Sequence, residues 1–209
     1  MALLHPAGKA DRDDAAAFAG RVARWDAVGP IRLKVDGELV RLWATTPFDT
    51  LATRAVHAGL QPSDATVHAG NLLSALAVGS AGDVDPGTVI DAAWRSQLPP
   101  QQGWITVDDV PAKVLAELAD SGVERAKSAP GPAGGASTAL LDSEAITVSG
   151  NGMRVVIPMR MLMALSGMGF APPSPDELVR VSATDAWMRI DARYGAVVRR
   201  RHALLPLMF

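Results

Sequence analysis

Two stretches of the chain alternate apolar and polar residues about a glycine turn. In residues 144–157, Ile146, Val148, Val155 and Ile157 alternate with Thr147, Ser149, Arg154 and Val156 around Asn151-Gly152. Successive strand side chains point to opposite faces. Both central residues of a two-residue type I′ turn need positive φ, which Asn and Gly tolerate best. The pattern predicts a hairpin pairing Gly150 with Met153, Val148 with Val155 and Ile146 with Ile157. In residues 31–43 the same reading puts the turn at Asp36-Gly37. It pairs Val35 with Glu38, Leu33 with Val40 and Ile31 with Leu42, and leaves Arg32, Lys34, Leu39, Arg41 and Trp43 on the other face.

Each hairpin then meets a proline, Pro47 or Pro158, the residue favoured at a first helical position. Thr46 with Asp49 resembles a capping box, and Gly59 and Gly167 are placed as helix stops. The expectation is one supersecondary unit used twice, with helices over 47–58 and 158–166. Identity between the copies is slight, so common local physics accounts for them more simply than duplication.

The remaining pattern is coarser. Phe18, Val22 and Trp25 form an apolar stripe on a predicted helix over 11–26. Helices are also expected over 66–78 and 111–121, the latter ended by Gly122, with a weaker helical turn over 88–94 and a short strand over 105–107. Residues 178–182 and 186–191 read as strands around Thr184-Asp185. A three-residue turn, Arg193-Tyr194-Gly195, then pairs Ile190 with Val198 and Asp191 with Val197. Residues 128–138, SAPGPAGGAST, hold only small residues and proline and read as a linker. The fold class is α+β: antiparallel β-hairpins each followed by a helix, used twice, with a C-terminal β-meander. The domains are 1–127 and 139–209, with 128–138 between them.

Composition narrows the function classes. At 209 residues and 48% hydrophobic the chain supports one large domain or two small ones. A net charge of −2 argues against a generally basic nucleic-acid binder. With no cysteine there is no disulfide, thiol nucleophile or cysteine metal site, and no sign of secretion. No apolar run matches a signal peptide or a membrane span, so the expected location is the cytoplasm.

The runs FAGRVARWDAVGPIRL and LWATTPF, together with LLDSEAITVSGNGMRVVIPMRMLMALSGMGF, resemble a family of proteins of unknown function from high-GC bacteria. The resemblance spans most of the chain as two neighbouring domains. It implies no activity and supplies no site residues.

No motif singles out a reaction. His5, His57, His68 and His202 show no ligand spacing, and no metal or cofactor is expected. Residues 83–87 begin like a calcium loop but lack its later ligands. Asp108-Asp109 fits a helix start better than acid–base work. Residues 131–138 lack the Gly-Lys of a phosphate loop.

Two sets of residues are candidates for binding. Arg32 opposite Arg41, with Lys34 and Trp43, forms a basic face on the first hairpin. Arg189 opposite Arg199, with Arg201, forms another on the meander, where residues 178–209 carry six arginines against Asp185 and Asp191. Like charges directly opposed are unfavourable unless neutralised. Solvated faces bridged by acids are the plain reading, and an anion, nucleic-acid or acidic-protein site the sharper one. Met159, Met161, Met163 and Met168 belong to a core, or Met159 and Met163 to an adaptable interface. The closing stretch ALLPLMF, with Leu204, Leu205, Leu207 and Phe209, is expected to dock in an apolar groove of its own chain or of a homodimer partner, with the methionine helix as one wall. The first reading is therefore a non-enzymatic binding or protein-interaction protein. The alternatives are a nucleic-acid or anion binder using the arginine faces, and an enzyme whose site is scattered in sequence.

Overall fold

A computed structural model describes residues 2–78, 82–131, 135–174 and 176–201. It divides into two compact units, Met1–Pro47 with Leu51–Gln97, and Phe48–Thr50 with Leu98–Phe209. The division falls at Gln97/Leu98 and not at the expected linker. Residues 105–127, assigned above to the first domain, pair and pack within the second unit. Of residues 128–138, Ser128 ends a helix, Thr138 starts another, and 132–134 lie outside the described residues.

The first unit runs β1 (Leu3–Pro6), α1 (Lys9–Trp25), β2 (Pro30–Asp36), β3 (Leu39–Thr45), β4 (Leu51–Gln61), β5 (Asp64–His68) and α2 (Ala69–Ala77), then a 3₁₀ turn at Asp91–Ala93. Its strands lie in the order β5-β2-β3-β4, all antiparallel, with β1 also on β4. Helix α1 buries Ala15, Phe18, Ala19 and Val22 and packs on α2. Phe18 and Val22 of the expected stripe are thus buried, whereas Trp25 is half-buried.

Strand pairing corrects the first hairpin. Asp36 pairs with Leu39, so Gly37-Glu38 is the turn and Gly37 supplies the positive φ of +64°. Leu33 lies opposite Leu42, and Arg32 opposite Trp43. The expected register is wrong by two residues, an even slip. The division of faces therefore survives, and Ile31, Leu33, Val40 and Leu42 are all fully buried.

The helix expected over 47–58 is strand β4. Asp49, at φ +55°, turns the chain sharply after Pro47. Residues 51–57 then pair with β3 over seven positions, from Thr45↔Leu51 to Leu39↔His57. This ladder and β1 on the other edge satisfy the backbone of β4, and tertiary pairing overrides the local helix signals. Among the described residues the hairpin-then-helix unit therefore occurs once, not twice.

That one case is in the second unit. The unit runs β6 (Ile105–Pro111), α3 (Ala112–Ser128), α4 (Thr138–Asp142), β7 (Glu144–Gly150), β8 (Met153–Pro158), α5 (Met159–Gly167), β9 (Leu178–Ala183), β10 (Trp187–Ala192) and β11 (Gly195–Arg200). The β7-β8 register is the predicted one from Gly150↔Met153 to Ile146↔Ile157. Asn151 and Gly152 take φ of +51° and +76°, as a type I′ turn requires. Strands β11, β10, β9 and β6 follow one another as an antiparallel sheet. In the meander Ile190 pairs with Val197 and Ala192 with Gly195. The turn is two residues, Arg193-Tyr194, and the expected register slips by one.

Helix α3 continues past Gly122 to Ser128. A Cβ at Gly122 would come 2.4 Å from the buried Met159 sulfur. The glycine thus serves close packing of α3 on α5, not termination. Met159, Met161, Met163 and Met168 are all buried, with Leu162, Leu165 and Phe170, in the core of this unit. The plain reading of the methionines holds. Met159 and Met163 are not surface residues of an interface.

Gly150 carries a tighter constraint, because a Cβ there would lie 2.0 Å from the Val107 carbonyl oxygen. That atom is backbone and has no rotamer escape. Gly150→Ala should destabilise the protein by about 1–3 kcal/mol, the usual range for overpacking. Gly8→Ala, where nothing lies within 4 Å, should be near neutral. Denaturant midpoints of the two variants check this.

Candidate functional site

The polar side chains singled out in the sequence lie on strands whose register sets their neighbours. In the first unit three adjacent strands place Asp64, Lys34 and Arg41 side by side, Lys34 pairing with Asp64 on one edge and Arg41 on the other. Arg32 donates through Nε and Nη2 to the two Asp64 oxygens at 2.8 and 2.7 Å. Lys34 lies 3.7 Å from Asp64. Arg41 donates through Nε and Nη2 to Asp36 at 3.1 and 2.9 Å. The Arg32 guanidinium also stands 6.0 Å from the Trp94 ring centre, within range of a cation–π contact. Trp43 is buried.

This face is a charge ladder: Arg32, Lys34 and Arg41 against Asp36 and Asp64. The hydrogen bond from Arg32, aided by the charges of Arg32 and Lys34, holds the Asp64 carboxyl below the usual carboxylate range against the opposing effect of burial. The same bond raises the Arg32 guanidinium. Burial, with Arg24 and Arg54 nearby, lowers Arg21.

In the second unit the expected opposition of Arg189 and Arg199 does not occur. Arg189 pairs with Val198 and Arg199 with Met188, so the two arginines point to opposite faces. Arg189 donates through Nε to Asp191 at 2.7 Å and stands 5.8 Å from the Trp104 ring centre. Arg201 donates to the carbonyls of Thr184 and Arg154 at 3.0 and 2.9 Å. Arg180 binds Asp109. This bond lowers the Asp109 carboxyl and raises the arginine. Asp108-Asp109 is thus not a carboxylate pair at a helix start, because it lies within β6. Among the described residues no three His, Asp or Glu gather at metal-binding spacing. Leu204, Leu205, Leu207 and Phe209 lie outside the described residues.

The most buried charge in this unit was missed in the sequence. Arg160, on the second position of α5, is 6% exposed. It donates to Asp142 through Nε and Nη2 at 3.0 and 2.5 Å, and through Nη1 to the Phe48 carbonyl at 3.0 Å. Asp49 lies 3.4 Å from Nη1. Arg199 stands 3.6 Å from Asp49 and 3.9 Å from Asp142. Two arginines and two aspartates thus form a neutral cluster. The signal was present: a lone arginine within Met159-Arg160-Met161-Leu162-Met163 must find a partner if its helix is buried.

Each unit also carries a small cleft. That of the second unit, about 180 Å³, lies between α3 and α5, with Leu115, Ala119, Leu162 and Leu165 on its walls and Asp120 as its carboxylate. That of the first, about 230 Å³, is lined by Val22, Trp25, Pro30 and Pro47, with Asp26.

Two outcomes follow from these pairs. Arg160→Met should cost about 2–3 kcal/mol, through the orphaned Phe48 carbonyl and lost charged hydrogen bonds. The cost stays below that of a fully buried pair because Asp142 and Asp49 keep access to water. Arg160→Lys should recover little, because lysine lacks the planar fork. Chemical denaturation measures both. Since the Asp64 carboxyl is depressed in the fold, its stabilisation is present above the unfolded value and is lost as pH falls through the folded one. The stability advantage of the wild type over Asp64→Asn should therefore be constant near neutrality and shrink below about pH 4. A pH series of unfolding curves reads this directly.

Residues 1–96 match the model of a domain of unknown function (DUF8010), and residues 99–204 that of a domain of unknown function (DUF8185). No curated protein matches. Among solved structures the chain is similar to the DNA polymerase sliding clamp of Caulobacter crescentus, at 17% identity and a TM-score of 0.59, covering 99% of this chain and 67% of that one. It is similar to the sliding clamp of Pseudomonas aeruginosa bound to griselimycin, at 13% identity and a TM-score of 0.60, covering 99% and 67%. The DNA polymerase III β subunit of Thermotoga maritima matches at 10% identity and a TM-score of 0.57, covering 98% and 66%. The chain spans about two thirds of the length of these clamps, and at such identities the likeness is one of fold. The DUF8185 match takes in just over half of the 209 residues, and the chain belongs to that family.

Proposed function

We propose that this protein works by binding other proteins, as a non-enzymatic interaction scaffold in the cytoplasm. The observation that supports the reading best is a fold shared over 98–99% of the chain with proteins named as sliding clamps or β subunits of DNA polymerase III. A subunit of a polymerase acts in company, and a related fold suits the same manner of work. The distribution of charge is consistent with it. Arg32, Arg41, Arg189 and Arg199 each have an aspartate partner inside their own unit.

The second reading, a nucleic-acid or anion binder, rests on the residual charge of the ladder on β2 and β3 and on Arg201. The internal aspartates weaken it, because a phosphate would have to displace a carboxylate already in the guanidinium fork. Helix α3 gives it no support either: Lys113, Arg125 and Lys127 are balanced by Glu117, Asp120 and Glu124.

Two measurements separate the readings. Fluorescence anisotropy with duplex and single-stranded oligonucleotides at low ionic strength should show no salt-dependent binding. Affinity that falls steeply as salt rises would establish the second reading in place of the first. Affinity capture followed by reconstitution from purified components should yield a protein complex of fixed stoichiometry, and sedimentation should show whether a homodimer is part of it. Failure of every captured protein to re-form a complex would remove the scaffold reading.

A further inference from the structure

The cleft of the second unit has its origin in the short side chains of α3. Gly122 lets α3 lie against Met159 at the start of α5. Further along the helix pair, Ala116 and Ala119 line the cleft with Leu115, Leu162 and Leu165. Alanine is too short to fill the space between the helices, and about 180 Å³ stays open. The three leucines are buried core residues, so the walls are fixed. Pro172 and Pro173, both exposed, stiffen the rim. Small-molecule pockets run to about 300–1,000 Å³, whereas an apolar cavity of about 150 Å³ takes one benzene ring. The cleft is therefore the size of one large apolar side chain.

Charge at the rim selects what accompanies that side chain. Glu117, Asp120 and Glu124 follow one another at i, i+3 and i+7 and form an acidic row along α3. Lys113 stands 3.8 Å from Glu117, and Lys127 donates to Glu124 at 2.7 Å. Arg125 donates to the Ser121 carbonyl instead of to the row. Among the described residues no cation pairs with Asp120, the carboxylate that lines the cleft. It stands exposed between two like charges, and a cation brought to the rim relieves it. Resting on the scaffold reading, we propose that this cleft docks a basic segment of a partner protein. The segment seats one large apolar side chain between α3 and α5 and sets a lysine or arginine beside Asp120. The apolar anchor supplies affinity and the charge supplies partner choice.

Methyl NMR of the full chain at low ionic strength tests this with three capped tripeptides, Lys-Phe-Lys, Glu-Phe-Glu and Lys-Ala-Lys. Lys-Phe-Lys should shift the Leu162 and Leu165 methyls saturably, and the other two should each bind at least about threefold more weakly. Asp120→Asn, at an exposed position that tolerates the change, should narrow the difference between Lys-Phe-Lys and Glu-Phe-Glu. No saturable shift with any peptide would overturn the proposal, as would equal affinity of the wild type for Lys-Phe-Lys and Glu-Phe-Glu. A dimer in sedimentation that Lys-Phe-Lys dissociates would overturn it in favour of a second copy in the cleft. In a complex reconstituted from purified components, Asp120→Lys should weaken association at least about threefold. A complex that forms unchanged with this variant overturns the cleft alone and leaves the scaffold reading standing, whereas failure of every complex to re-form removes both.

Discussion

Period-two alternation in antiparallel strands is the constraint on which this structure depends. A strand shifted by one residue exchanges its buried and exposed sets, whereas a shift of two leaves them in place. In the first unit Ile31 and Leu33 on β2 and Val40 and Leu42 on β3 reach full burial together. The observed register also brings Asp64, Lys34 and Arg41 into one row across β5, β2 and β3. The apolar face fixes which side each residue takes, the turn at Gly37-Glu38 selects among the even registers, and the polar face inherits its charge order from both. Lys34 and Arg41, directly opposed, are tolerable because Asp64 and Asp36 flank them.

The Asn151-Gly152 turn was legible because turn chemistry and alternation point to the same register. Asp36-Gly37 was less so, because one glycine with positive φ suits either of two adjacent turn positions. Gly37 and Glu38 occupy the turn, and the error moved pairs without exchanging faces. The meander shows the harsher case. Reading Gly195 as part of the turn slipped the register by one, which falsely joined Arg189 and Arg199 on one face.

Strand β4 shows where local signals run out. Thr46-Pro47 followed by Asp49 is good helix-start chemistry, yet β4 pairs along both of its edges, with β3 and β1. What decides it is the partner strands available in space, and no local spacing records them. Arg160 is the converse. The Met159 to Met163 run announced a buried helix, so its arginine required an acceptor. The acceptors lie 18 residues back at Asp142 and 112 residues back at the Phe48 carbonyl. Need was visible in the sequence, and the identity of the partner was not.

The charges of this protein therefore divide by what they answer to. Arg32, Arg41, Arg160 and Arg199 answer to aspartates of their own unit, and their number in the sequence overstates the positive field outside. A guanidinium held in two hydrogen bonds by a carboxylate, as Arg32 is by Asp64, has its most directional donors engaged. An outside anion then gains only what it offers beyond that carboxylate. Arg201 differs, because its acceptors are carbonyls, which satisfy its donors without cancelling its charge. Its side chain ties the loop after β9 to β8 through the carbonyls of Thr184 and Arg154. Arg201, held by carbonyls and not by an acid, thus serves in the fold to place backbone.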